Sequence, residues 1–373
     1  MKSLYLDNSA TTKLNPKVMK EMQKYHTLEY GNPSSQHFLG EKAQEAITKA
    51  RQEIAKTLNC KPQEIYFTSG ATESNNLAIQ GLAKANPHKK KIIISSIEHP
   101  SITELCKYLQ TLGYKIIKIP VDAQGHIRID ILKKELSPDT LLVSIMHVNN
   151  LFGTIQDIEK IGQLCKDNNI PFHTDCSQSL GKLPIDTNKD NITMLSASAH
   201  KIGGPKGIGL LYVKENTKIE PLFYGGGQEK GLRSGTENVP AIIGFAEALK
   251  QIKKTNRNKV EKLRNKLIDE LIKIGGKING SLQDRIYNNI NVSFMTLSSE
   301  VLVQYLSKKG ICISSGSACE SKKEKEDEAL KALGLNAIEI KGAIRLSINE
   351  DLTDKDIIYI LNEIKKAIKK LKI

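Results

Sequence analysis

ITMLSASAHKIGGPKGIGLLYV, residues 192–213, holds two nearly continuous apolar runs, ITMLSASAH (192–200) and GIGLLYV (207–213), around a glycine-rich turn that carries two lysines. Short apolar runs bounded by turn residues read as strands buried on both faces, the signature of a mainly parallel sheet covered by helices. A solvated lysine needs no such setting. Lys201 at the strand end and Lys206 inside the PKG turn therefore pose a choice of which one works. Upstream, EIYFTSG (64–70), KIIISS (91–96), YKIIKIPV (114–121), TLLVSIMHV (140–148) and IPFHTDC (170–176) read as further strands. Helical stretches such as ITELCKYLQTLG, closed by Gly113, and IQDIEKIGQLCKDNN lie between them. Strand–helix alternation of this kind predicts an α/β fold.

Downstream, a long charged helix at roughly 241–274 leads to a second region, in which NNINVSFM, ICISSGS and AIRLSIN alternate with helices. That pattern predicts a smaller α/β domain. The terminal DIIYILNEIKKAIKKLKI puts Ile357, Ile360, Leu361, Ile364, Ile368 and Leu371 on one helical face. A helix covering the small sheet is expected from it, with a basic membrane-surface helix as the alternative.

At 373 residues the chain is long enough for a large core and more than one domain. The formal charge of +14 rests on 55 basic residues, of which only seven are arginine, and there is no tryptophan. Dispersed lysines without stacking aromatics describe a solvated surface rather than a nucleic-acid site, and leave attraction to an acidic partner protein open. Six cysteines show no CxxC pair and no zinc-like spacing, so no metal site is expected. No apolar run reaches membrane-spanning length and the first residues lack signal-peptide character, so a cytoplasmic protein with reduced thiols is expected.

Ligands of parallel α/β sheets bind beyond the carboxyl ends of the strands, and polar clusters fall at those ends here. FTSGATESNN (67–76) passes through Gly70 into a helix start where free N–H groups, with Thr72, could hold a phosphate. His99, Asn149 and Asn150, Asp175 and Gln178, then Ser198, His200 and Lys201 follow four other strands. Singly, each has a structural reading: an aspartate as a helix cap, a histidine as a hydrogen-bonded core residue. Together they offer a phosphate cradle, an aromatic ring, a carboxylate and a lysine at one sheet edge. That set suits pyridoxal 5'-phosphate, whose aldehyde needs a lysine, whose ring nitrogen needs a carboxylate and whose phosphate needs donors.

The sequence closely resembles the cysteine desulfurases of the NifS/IscS type, within the fold-type I (aminotransferase class V) pyridoxal phosphate enzymes. The ordered motifs YLDNSATT (5–12), GNPSSQH, SGATESNN, EHPSI, HTDCSQS, SAHKIGGPKGIG, RSGTEN, SSGSAC and IRLS carry the resemblance over nearly the whole chain. It implies a large cofactor domain with a mainly parallel seven-stranded sheet at 14–255. Residues 1–13 and 256–373 would form the small domain. Lys201 would bind the cofactor aldehyde, while Lys206 looks structural. Ala71, Thr72, Ser198 and His200 would hold the phosphate, joined by Thr236 from the neighbouring subunit of a homodimer. Asp175 would pair with the pyridinium nitrogen, Gln178 with the ring hydroxyl, and His99 would stack on the ring and share proton transfer with Lys201. Asn150 would lie beside cofactor and substrate, and Arg345 would clamp the substrate carboxylate.

By the same resemblance, Cys319, in the polar ISSGSACES segment, is the thiol that takes sulfur from L-cysteine, leaving L-alanine and a persulfide. A mobile loop would then carry the sulfur to an iron–sulfur scaffold protein or another acceptor, for cluster assembly or tRNA thiolation. There Cys319 would meet the growing cluster. A class V aminotransferase or a selenocysteine lyase would use the same cofactor site, but a transaminase has no need of the loop thiol. An inactive scaffold would not keep the full set of Lys201, Asp175, His99 and Cys319. The chain departs from the family pattern at Leu151 and Phe152 in NNLFGT, at the charged stretch after Cys319, and at Ile348-Asn349.

Overall fold

The computed structural model describes residues 3–316 and 328–370. The strands are β1 (Leu4–Tyr5), β2 (Ile65–Thr68), β3 (Lys91–Ser95), β4 (Lys115–Ile119), β5 (Thr140–Ser144), β6 (Phe172–Asp175) and β7 (Met194–Ser198). They continue with β8 (Gly209–Val213), β9 (Lys277–Ile278), β10 (Asn289–Ser293), β11 (Ile311–Cys312), β12 (Ser314–Ser315) and β13 (Ala343–Ser347). The main sheet has seven strands in the order β2-β8-β7-β6-β5-β3-β4. Only β8 runs against its neighbours, antiparallel to both β2 and β7.

Burial on both faces explains the continuous apolar strands. Ile93, Leu195, Leu210 and Tyr212 point into one apolar layer with the helices Pro16–Thr27, Phe38–Leu58 and Val239–Ile252. Their neighbours Ile92, Ile94, Met194, Leu211 and Val213 point into the opposite layer, under the helices Ala71–Ala85 and Pro100–Thr111. Alternate residues serve opposite faces, as the two-residue period of a strand requires.

The single long helix expected at 241–274 is two helices, Val239–Ile252 and Arg257–Lys273. Asn256 restarts the second by accepting the Lys259 N–H at 3.0 Å, so a polar cap overrides the continuous helical pattern. Beyond it, β9, β10, β12 and β13 form an antiparallel sheet in the order β12-β13-β10-β9. The helix Asp354–Lys370 covers this sheet, burying Ile357, Ile360, Leu361 and Ile364 in the same core as Ile290 and Ile344. The covering helix expected from the sequence is thus found, and its apolar face is already occupied. Leu371 lies outside the described residues.

Two features tie the sheets together. The first segment of the chain pairs β1 with β11 in parallel, then Asp7 bridges Ser347 before the chain returns to the large sheet. The NNLFGT corner is the second. Leu151 and Phe152 are buried, and Asn149 Oδ1 accepts both of their N–H groups. The Leu151 carbonyl in turn accepts from the Asn289 and Asn291 side chains of β10. Gly153 has φ +74°, and a Cβ there would lie 2.6 Å from Asn289 Oδ1, so only glycine fits this joint. No helix among the described residues is long and apolar enough to cross a membrane.

Candidate active site

β2 delivers the chain to Gly70, the cap position of the helix Ala71–Ala85. Gly70 offers no side chain to cap the helix, and among the described residues no side chain accepts the Ala71 or Thr72 N–H, although Thr68 Oγ1 accepts the Gly70 N–H at 3.4 Å. On one side Gly209 of β8 presses in so closely that a Cβ on it would sit 2.5 Å from the Gly70 carbonyl carbon. Beside Gly70 lies Ser198, whose Oγ is 3.9 Å from where a Gly70 Cβ would be. An uncapped helix start at Ala71 and Thr72, flanked by a serine hydroxyl, is a place built for an anion.

Asp175 ends β6 and is 5 % exposed. Its carboxylate accepts the Ser177 N–H at 2.8 Å and Asn75 Nδ2 at 2.9 Å. Asn75 Nδ2 also reaches Ser101 Oγ at 2.9 Å, and Ser101 Oγ lies 2.9 Å from His99 Nδ1. His99 caps the helix Pro100–Thr111 by accepting the Ser101 N–H at 3.1 Å. Next to His99 stands a contrasting acid. Glu98 is buried, and burial pushes its carboxyl up to about 8; one oxygen accepts the Met146 N–H while the other has no partner among the described residues. Asp175 is surrounded by donors suited to an anion, whereas Glu98 is enclosed in a setting that favours the acid form.

Lys201 and Lys206 separate clearly. Lys206 is exposed, between glycines that turn the chain into β8. Lys201 follows β7 directly, and its Nζ donates to the Ser9 carbonyl at 2.7 Å and the Ala10 carbonyl at 2.9 Å. Gln178 Nε2 donates to the same Ser9 carbonyl at 3.0 Å. His200 Nδ1 is 3.1 Å from Thr11 Oγ1, and the Thr12 hydroxyl donates to the His200 carbonyl at 2.8 Å. Burial first, then the nearby Lys201, Lys206 and Lys182, push His200 down to about 4, so it is neutral near pH 7. Residues 7–12, DNSATT, therefore form a strap across the lysine turn. Lys182 lies close by and is fully buried; its Nζ has no hydrogen-bond partner among the described residues, and burial with the charge of Lys201 lowers it to about 7.

The other end of the strap reaches Arg345 on β13. Arg345 Nη2 donates to Asp7 Oδ1 at 2.8 Å and Ser314 Oγ at 3.2 Å, and Nη1 donates to the Asn150 carbonyl at 3.1 Å. Its Nε is buried and has no acceptor among the described residues. A guanidinium with an unused donor, held by three separate chain segments, is poised for one more anionic group.

The structure thus gathers Ala71, Thr72 and Ser198 at one helix start, links His99 to Asp175, and joins Gln178, His200 and Lys201 through the strap. Asn150 meets Arg345 at the far end. Thr236 is exposed on the glycine-rich loop after Tyr224, and no hydrogen bond joins it to the others among the described residues. Cys319 lies outside the described residues. Cys60, Cys106, Cys165 and Cys176 are free thiols that burial pushes up to about 12, the reverse of a reactive thiolate. No group of three or more metal-ligating side chains occurs among the described residues.

Sequence reasoning passed over Asn75, Ser101, Asp7 and Lys182. Asn75 had a readable signal, since it lies four residues after Ala71 on the same helical face. Asp7 stood inside YLDNSATT without an assigned task.

These groups fit pyridoxal 5'-phosphate on structural grounds: an uncapped helix start for phosphate, a carboxylate ringed by donors for a protonated ring nitrogen, and a lysine between them. Comparison with known proteins agrees. The sequence matches the Aminotransferase class-V family over residues 4–360. It is 43 % identical to the cysteine desulfurase IscS of Methanosarcina thermophila over 377 aligned positions, covering 100 % of this chain and 93 % of that one. Among solved structures, a NifS-like protein superposes with a TM-score of 0.93 at 38 % identity, covering 99 % of this chain and 100 % of the other. SspA in complex with cysteine superposes at 0.84 with 37 % identity, covering 93 % of this chain and 99 % of the other. With strand-end chemistry, fold and full-length similarity all in agreement, the chain belongs to the aminotransferase class-V family and, within it, to the pyridoxal phosphate-dependent cysteine desulfurases.

Proposed function

We propose that the chain converts L-cysteine to L-alanine and passes the sulfur on as a Cys319 persulfide, with the strand-end residues in the following roles. Pyridoxal phosphate, when bound, supplies an electron sink for the charge left on the substrate carbon skeleton as protons move. Ala71, Thr72, Ser198 and neutral His200 hold its phosphate; Asp175 faces its ring nitrogen, Gln178 its hydroxyl, and His99 its ring face. Lys201 Nζ takes and returns the substrate proton, and the Ser9 and Ala10 carbonyls receive the ammonium so formed. Arg345 binds the substrate carboxylate beside Asn150. The observation that carries this reading is the position of Lys201, on two carbonyl acceptors and one residue from His200, at the end of the strand that neighbours Asp175.

The Cys319 thiolate attacks the substrate sulfur, and the carbon–sulfur bond breaks with its electron pair left on carbon. The persulfide then moves to an iron–sulfur scaffold protein or another sulfur acceptor in the cytoplasm. We further propose a twofold dimer in which Thr236 completes the partner's phosphate site. Its support is the exposed Thr236 loop, which begins at the exposed aromatics Phe223 and Tyr224. Large exposed aromatics beside a polar glycine loop suit contact with a second copy.

The test is incubation of the cofactor-loaded protein with L-cysteine, measuring alanine, sulfide and the mass of Cys319. Wild type should form alanine and a persulfide. Cys319→Ser should keep the spectral change on adding cysteine but form neither persulfide nor sulfide. Normal sulfide release by Cys319→Ser would remove the thiol from the mechanism.

A further inference from the structure

Asn75 and Ser101 have no role in the reading above, yet they join its two ring-facing residues. Asn75 is completely buried, and Nδ2 spends both of its hydrogens, one on Asp175 Oδ2 and one on Ser101 Oγ, each at 2.9 Å. Having accepted that hydrogen, the Ser101 hydroxyl has its own proton to give, and the acceptor within reach is His99 Nδ1 at 2.9 Å. The Ser101 backbone N–H points at the same nitrogen at 3.1 Å. A backbone N–H can only donate, so Nδ1 must present its lone pair. The proton of the neutral ring therefore sits on Nε2.

We propose that Asn75 and Ser101 are positioning residues that hold His99 as the neutral Nε2–H tautomer while they anchor Asp175, so that the ring offers the site an N–H. Becoming imidazolium would turn Nδ1 into a donor facing the Ser101 backbone N–H, which cannot accept. Nε2, already protonated, has no lone pair with which to act as a base. One amide thus fixes both the group at the ring edge and the group on the ring face, and displacing Asn75 would disturb both. This inference rests on the cofactor site proposed above.

Nitrogen-15 histidine labelling of the cofactor-loaded protein tests it, with His99→Gln identifying the His99 signals. A pyridine-type Nδ1 and a pyrrole-type Nε2 are expected. A protonated Nδ1, in either the other tautomer or imidazolium, would overturn the proposal. Ser101→Ala keeps the backbone donor and loses the hydroxyl, so the Nε2–H tautomer should persist while the Nδ1 signal shifts with the loss of one of its two hydrogen bonds. Asn75→Ala should shift both the His99 nitrogen signals and the visible absorption band of the bound cofactor. If both variants fold and leave these signals where they were, the positioning role is wrong. Should Asn75→Ala fail to fold, the wild-type tautomer and Ser101→Ala still decide. None of these readouts needs turnover, so their failure is distinct from a failure to form alanine.

Discussion

The two ends of the site are built by different means. At the cofactor end, Gly70, His99, Asp175 and Ser198 each end or follow a strand of one sheet, so the register of that sheet sets their spacing. At the carboxylate end, Asp7, Asn150, Ser314 and Arg345 come from four distant stretches of chain and meet on a single guanidinium. Sheet register is a cooperative property that one substitution barely moves. A guanidinium gathered from separate segments depends on each contact, so its geometry is the easier to lose. Substitutions at the first end should therefore change whether chemistry occurs, and those at the second how well substrate binds.

The largest effect expected is at Lys201. Lys201→Ala should lower alanine formation by about 10³-fold or more, the scale of a lost acid–base group. Lys206→Ala should remain close to wild type. Borohydride reduction followed by peptide mass spectrometry should place the cofactor on Lys201, and attachment at Lys206 would reverse the assignment.

At the other end, Arg345→Ala should raise the KM for L-cysteine about 100-fold, near the value of a charge-assisted hydrogen bond to a carboxylate. Asp7→Asn keeps the shape and removes the charge that orients Arg345, so a smaller rise, about tenfold, is expected with kcat little changed. An unchanged KM in Asp7→Asn would break the contrast between the two ends, since it would make the gathered guanidinium as robust as the sheet. Gly209→Ala sharpens the contrast from the cofactor side. Its methyl would press on Gly70 and displace the helix start, weakening cofactor affinity about tenfold at a residue that offers no side chain to the ligand. Equilibrium titration with pyridoxal phosphate would measure it.

The smallest effect is on pH and comes from buried histidines, one buried acid and one buried lysine. Burial holds His147, His173 and His200 neutral, each lowered to about 4. The unfolded chain takes up these protons near pH 6.5, before the folded one does, so stability falls as pH drops from about 6.5 toward 4. Glu98 acts in the opposite sense. Its carboxyl is raised to about 8, and its contribution, full below about pH 4.5, is lost as pH rises through 8. Lys182, lowered to about 7, gains stability as pH rises above 7 and offsets this loss, so melting temperatures should rise from pH 4.5 to about 6.5 and level off toward pH 8.5.

Legibility in the sequence follows the same division. Strand-end residues could be read because a continuous apolar run announces each strand, and the polar residue after it falls at the sheet edge by geometry. Lys201 was separable from Lys206 for that reason, with the family resemblance behind it. The strap could not be read this way. DNSATT has no periodicity of its own, and its task depends on Ser9 and Ala10 offering carbonyls, which every residue has. The reversed direction of β8 was equally hidden, because an apolar run carries no sign of its direction. The restart at Asn256 was missed because an asparagine within a charged helical stretch is as acceptable as it is at a cap.

The joint at Leu151 has a consequence for how the molecule comes apart. Its carbonyl is bonded from β10, its side chain belongs to the large apolar layer, and the neighbouring Asn150 carbonyl is bonded from β13. Ala329, Leu330 and Leu333, from the far side of the small sheet in sequence, pack in that same large layer. Neither sheet can melt without stripping hydrogen bonds and apolar contacts from the other. With the large and small sheets joined in this way, the chain should show one calorimetric transition, its van't Hoff and calorimetric enthalpies equal, rather than the two steps that separable domains would give.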